Sequence, residues 1–211
     1  LATESFQAKA KVPSGASTGI HEALELRDQD PNRFHGKGVQ KAIYNIMEVI
    51  RPEILDHEFS SQEEFDALLL KIDGTDNKQN LGANSILACS MAFNRLLAQA
   101  KEQELYQNFS DHFSLPTPMV NVLNGGQHAD NGLEIQEFMI VPFGIEEFSE
   151  KLRAACEIFH CLKNLLKEQS KATSVGDEGG FAPKLGSNDE ALQLLSKAVE
   201  QAGYKLKTQI G

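Results

Sequence analysis

Cysteine is scarce in this chain, and the three present, Cys89, Cys156 and Cys161, fall at no CxxC spacing. An odd count without that spacing argues against a disulfide framework and against a cysteine zinc site. Each is expected as a small buried apolar residue on a helix, in keeping with a reducing cytoplasm. No apolar run approaches the ~20 residues that span a bilayer, so no membrane span is expected. The opening Leu1-Ala2-Thr3-Glu4 lacks the basic-then-apolar pattern of a signal peptide. It also lacks an initiator Met, and the true N-terminus is expected to lie upstream. Positive charge is short as well: 20 Lys and Arg face 30 Asp and Glu, a net charge of -10. Such a surface repels phosphodiester backbones, which argues against generic nucleic-acid binding. Most of the acidic excess reads as solubility, with a divalent cation as the alternative use. No internal repeat or low-complexity segment is visible.

What is present is an ordinary globular pattern. A chain of 211 residues can form one large or two small domains. Residues 5–12, S-F-Q-A-K-A-K-V, alternate as a strand does, and a loop follows over 13–19. Val39, Ile43, Ile46, Met47 and Ile50 recur at helical spacing, predicting a helix over 38–50 that ends near Pro52. Phe65, Leu68, Leu69 and Ile72 predict a second helix, and residues 73–77 a turn. The mostly apolar stretch 83–100, rich in small residues, predicts a buried helix. The character changes at Leu115-Pro116-Thr117-Pro118, which places a boundary near Ser114 and two domains at 1–114 and 115–211. Beyond it come short apolar runs at 119–123 and 135–141, a long amphipathic helix over 145–167, a Gly-rich loop, a helix over 189–202 and a strand over 205–210. Strands alternating with helices predict a parallel α/β arrangement.

Three polar loops can carry chemistry: 14–19, 124–131 and 176–180. In parallel α/β architectures the loops after strand C-terminal ends build the site. Gly15-Ala16-Ser17-Thr18-Gly19 is a literal G-x-S-x-G. A nucleophile elbow needs a sharp strand-to-helix turn and a later acid and His. The alternatives for Ser17 are a flexible lid or a hydroxyl ligand for a hard cation such as Mg²⁺; the pattern alone leaves these open. Glu137 lies in the apolar run 135–141, facing either water from an edge strand or a polar cavity at a strand end. Glu178 between glycines is equally ambiguous. If the two share a pocket, mutual repulsion keeps one protonated, giving a general acid beside a charged partner. His128 reads as ligand, acid or loop residue, and the other five histidines show no metal spacing.

A resemblance runs in order along the whole chain. Val12-Pro13-Ser14-Gly15-Ala16-Ser17-Thr18-Gly19 with Glu22-Ala23-Leu24-Glu25-Leu26-Arg27-Asp28 resembles the enolase signature. So do Gly36-Lys37-Gly38-Val39, Asp73-Gly74-Thr75, Gly82-Ala83-Asn84, Asn121-Val122-Leu123-Asn124-Gly125-Gly126 with His128-Ala129, Gln136-Glu137-Phe138-Met139 and Val175-Gly176-Asp177-Glu178-Gly179-Gly180-Phe181-Ala182-Pro183. The sequence is similar to bacterial-type enolases, which dehydrate 2-phosphoglycerate to phosphoenolpyruvate in glycolysis. The resemblance implies an α+β N-terminal domain followed by the first part of an enolase-type α/β (TIM-like) barrel. It implies two Mg²⁺ per active site, with Ser17 on a mobile loop as a ligand of the second. It implies that His128, Gln136 and Glu137 contact substrate and that Glu178 is the acid, with Glu137 as its electrostatic partner. A cytoplasmic homodimer or higher oligomer is implied too, with a cell-surface or secreted second pool possible by the same resemblance.

The departures from the family shape further expectations. The family's opening strand and D-S-R-G-N-P-T type motif are absent, and Gln127 and Asp130 differ from the Ser and Gly common around this His. The main carboxylate metal ligands, the Lys base and the phosphate-binding cations are expected beyond Gly211. A barrel takes ~250 residues, far more than follow Pro118. The 211-residue chain by itself is therefore expected to be inactive and poorly soluble. A non-catalytic scaffold or surface-binding relative is the alternative, and a Ser17 hydrolase a third.

Overall fold

The amphipathic periods of the sequence become helices in the computed structural model, which describes residues 1–15, 19–55, 57–176 and 178–211. The chain divides into two units, Leu1–Phe113 and Ser114–Gly211.

In the first unit, α1 (Gln40–Tyr44) passes into a π-helical turn, Asn45–Ile50, and then into α2 (Arg51–Ile54). The helix therefore runs through Pro52 and ends two residues beyond it, at Ile54. Proline lacks an N–H and its ring crowds the carbonyl of the preceding turn; the wide π turn immediately before it supplies the room. Asp28 caps the start from a distance, its carboxylate accepting from Gln40 N at 2.9 Å and Lys41 N at 2.8 Å. Next, α3 (Gln62–Asp73) begins at Ser61, whose hydroxyl accepts from Glu64 N at 3.2 Å, and stops at Gly74 with φ 69°. The buried helix is α4 (Ala83–Ala100). Ile50, Phe65, Leu69, Leu81 and Cys89 form the core of this unit. Phe65 and Phe93 stack at 4.1 Å. Each such side chain removed from water contributes roughly 1.5–3 kcal/mol.

The strand expected over 5–12 is not formed. A strand exists only by pairing, and here the described pairing is a single bridge, Ala2↔Gln7. Among the described residues the β part of the expected α+β unit is thus confined to that bridge.

In the second unit, β1 (Val120–Asn124) pairs with β2 (Glu137–Ile140), bringing Asn124 opposite Glu137 and Val120 opposite Ile140. The pairing is antiparallel, which corrects the parallel expectation. A parallel pair needs a crossover of a dozen or more residues, usually a helix; the 125–136 connection is a folded loop with only a short 3₁₀ turn, Gly126–His128. Parallel pairing survives in isolated bridges, Leu123↔Phe181 and Leu206↔Ile210. Two long helices, α5 (Phe148–Glu168) and α6 (Asn188–Gln201), supply the rest of the core, with Ile158, Leu162, Ala198 and Val199 packed with Leu123 and Phe181. No closed barrel is present among the described residues.

The strand expected over 205–210 is a tight turn. Lys207 has φ 63°, and Gln209 N and Ile210 N both donate to Lys205 O, so the segment folds on itself. Of the cysteines, Cys89 is buried, Cys161 half-buried and Cys156 exposed. Cys156 lies on the side of α5 away from Ala154, Ala155 and Ile158, which face the core. No helix among the described residues is long and apolar enough to cross a membrane.

Candidate functional site

The loops that the sequence singles out in the second unit meet at the end of β1. Asn124, the last residue of that strand, is fully buried (0% exposed). Its backbone N–H donates to Phe181 O at 2.8 Å, and Phe181 N donates back to Val122 O at 3.0 Å. The 176–180 turn is thereby laid along β1. Inside the turn, Gly176 N donates to Gly180 O and Gly179 N to Gly176 O, both at 3.0 Å, while Gly179 takes a φ of 86° that favours glycine. Glu178 sits on this turn with its side chain exposed.

The 125–136 loop closes over the other side. Gly125 N donates to Gln136 O at 2.9 Å and Gly126 N to Leu133 O at 2.8 Å. His128 is thus carried to the first residue of β2. Its Nδ1 stands 3.3 Å from Glu137 Oε1, with the two side chains 11% and 27% exposed. Neither ring nitrogen of His128 has a hydrogen-bond partner among the described residues. The approach is therefore a charge contact, which operates when the ring is protonated, rather than an aligned hydrogen bond. Glu137 is neither fully in water nor sealed in the core; it is half-buried against a histidine.

Gln136 is exposed, and its carbonyl anchors Gly125. Ser17 lies outside the described residues. The described residues on either side are bonded within the first unit: Gly15 N donates to Glu25 Oε2 at 3.3 Å, Arg27 Nη2 to Ser14 Oγ at 2.7 Å, and Gly19 N to Glu22 Oε1 at 2.9 Å. Arg27 also pairs with Glu25 and donates to Lys37 O at 2.7 Å.

Mg²⁺ demands near-octahedral oxygen coordination. Among the described residues no three His, Cys, Asp or Glu side chains gather where they could hold one ion. The described side chains do not by themselves fit a Mg²⁺ centre. Nor, among them, does a Lys or Arg pair with Glu137 or Glu178.

Sequence reasoning missed three residues here: Asn121, Asn124 and Asn131. Asn131 Nδ2 donates to the carbonyls of Asn124 at 2.8 Å and Pro183 at 3.0 Å, tying the two loops together. The available signal was polar residues inside an apolar strand run, V-N-V-L-N.

A helical unit followed by a hairpin backed by two long helices, with polar loops grouped at a strand end, defines a two-unit protein of mixed helix and sheet. A family model for the enolase N-terminal domain matches residues 1–109, and one for the enolase C-terminal TIM barrel domain matches residues 112–211. The chain belongs to the enolase family.

Proposed function

We propose that this chain carries part of the site for the reversible dehydration of 2-phosphoglycerate to phosphoenolpyruvate. A base takes the proton from the carbon beside the carboxylate, the neighbouring hydroxyl leaves with a proton as water, and a carbon–carbon double bond forms. In this reading Glu178 protonates the departing hydroxyl and Glu137 is its electrostatic partner. His128 and Gln136 contact the substrate. Ser17 would be the residue that gives an oxygen to Mg²⁺, and that ion, when held with ligands beyond the described side chains, would supply the positive charge that proton abstraction beside a carboxylate needs, as is general in the enolase superfamily. A glycolytic, cytoplasmic homodimer belongs to the same proposal.

The observation that carries it is the meeting of Glu137 and His128 at the strand end along which the Glu178 turn is bonded, in a chain of the enolase family. Among the described residues the site has carboxylates but neither a cationic clamp nor a metal donor set. A substrate bearing phosphate and carboxylate is not held without them. The 211-residue chain alone is therefore expected to form no phosphoenolpyruvate from 2-phosphoglycerate with Mg²⁺; robust turnover would overturn that part. In an active enolase that contains this sequence, Glu178→Gln is expected to lower turnover by roughly 10²-fold or more, the usual worth of a positioned acid. Undiminished turnover would remove Glu178 from its role.

A further inference from the structure

The turn that carries Glu178 is built around a side chain to which the proposed reaction gives no part. The amide of Asn124 lies between the first and last glycines of the 176–180 turn. A Cβ on Gly176 would fall 2.6 Å from Asn124 Nδ2, and one on Gly180 would fall 2.9 Å from Asn124 Oδ1 and 2.8 Å from Leu123 N. Gly176 serves as space for the amide and Gly180 as space for both the amide and the β1 backbone, whereas Gly179 serves the turn's own backbone.

The amide is engaged at both ends. Nδ2 donates to Gly180 O at 3.1 Å, and Oδ1 accepts from Asn121 Nδ2. Asn121 Nδ2 also reaches the backbone carbonyl of Glu178 at 3.4 Å. From the other side Asn131, in the loop that bears His128, donates to the carbonyl of Asn124. A short chain of neutral amides therefore links the Glu178 turn, the strand end and the His128 loop.

We infer that Asn121 and Asn124 are positioning residues, an amide clamp that holds the Glu178 turn in register with the His128–Glu137 contact. The inference rests on the reading of Glu178 as the acid. Neutrality matters to it. An aspartate at 124 would have nearly the same shape but would lose the donor to Gly180 O. It would also set a further negative charge near two carboxylates, making ionisation of each harder. A leucine would fill the space and make neither bond.

Amide hydrogen exchange and side-chain carboxyl NMR on the 211-residue chain test the clamp. Asn124→Leu and Asn121→Ala are expected to speed exchange over residues 174–183 by about tenfold as local opening becomes easier. They are expected to leave α5 and α6 at wild-type exchange and to move the titration midpoint of the Glu178 carboxyl. Asn124→Asp is expected to move that midpoint upward. Wild-type exchange over 174–183 together with an unmoved midpoint in Asn124→Leu and Asn121→Ala overturns the inference. Should Asn124→Leu unfold the second unit throughout, Asn121→Ala, at a partly exposed position, decides by the same two readouts. Neither readout requires turnover. A wrong role for Glu178 therefore appears in the activity of Glu178→Gln, and a wrong clamp appears here.

Discussion

The two units hold a loop in place with different buried polar groups. In the first, a carboxylate lies in the interior: Asp73 is 2% exposed and holds the 74–81 loop by accepting from Leu81 N at 2.7 Å, from Thr75 N at 3.0 Å and from the Thr75 hydroxyl. In the second, among the described residues, two buried amides, Asn124 and Asn131, hold the loops, and the ammonium of Lys151 donates to Thr117 Oγ1 at 2.8 Å. The first unit also buries Ser85 and the amide of Asn94, but both lie on α4 and not in a loop. A carboxylate accepts several backbone donors at once and binds them strongly, but it can be protonated. An amide bonds more weakly and does not titrate in the ordinary range. The first solution suits a loop that only has to stay put. The second suits a loop beside carboxylates, where another charge would interfere.

The comparison is broken most forcefully at Asp73. Asp73→Ala leaves Leu81 N and the Thr75 groups without their acceptor, at roughly 1–3 kcal/mol for each buried donor left unpaired. Chemical denaturation monitored over the first unit is expected to show a loss on the order of 3 kcal/mol. A loss below about 1 kcal/mol would mean that water or a rearranged loop replaces the carboxylate.

Acid sharpens the contrast less drastically. Burial alone would raise the Asp73 carboxyl, but the hydrogen bonds from Leu81 N and Thr75 outweigh it and leave the group below its ordinary 3.8. A depressed folded pKa contributes stability above the unfolded value, and that stability is lost as pH falls through the folded pKa. Exchange measured on acidification below 3.8 is expected to open the 73–82 loop before the amide-bonded 124–131 and 176–183 segments. Asp28, held low chiefly by Lys41 N–H, weakens the α1 cap in the same window. The reverse order of opening would contradict the assignment of the buried carboxylate as the acid-sensitive element.

The smallest effect is one that both units share. Ser61 and Ser187 begin α3 and α6 in S-x-x-E sequences, each hydroxyl accepting from the Glu N–H three residues on at 3.2 Å. Ser61→Ala and Ser187→Ala are each expected to cost about 1 kcal/mol. Unequal losses in thermal melts would show that the capping Glu residues, Glu64 on Ser60 N at 2.8 Å and Glu190 on Gly186 N at 2.6 Å, differ in weight.

The helices were legible in the sequence because their cause is local. The 83–100 expectation coincides with α4, and 145–167 differs from α5 by three residues at the start and one at the end. The strands over 5–12 and 205–210 failed because alternation records a wish to pair, while pairing depends on a partner edge elsewhere in the chain. The candidate site was half legible. Glycines at 176, 179 and 180 announced a turn, and His128, Glu137 and Glu178 stood out by charge. Asn121, Asn124 and Asn131 did not stand out, because asparagine is equally at home as an ordinary turn former. Their role lies in which carbonyls they reach across the fold.

The π turn at Asn45–Ile50 has a consequence for how sequence maps onto surface. Ile46, Ile50 and Ile54 advance by four, and in a helix of 3.6 residues per turn such a row winds slowly around the axis. A turn that takes in an additional residue winds it back, as a vernier takes up slack, and all three remain against the same core. An insertion or deletion of one residue in this turn would therefore put the upstream and downstream faces out of phase.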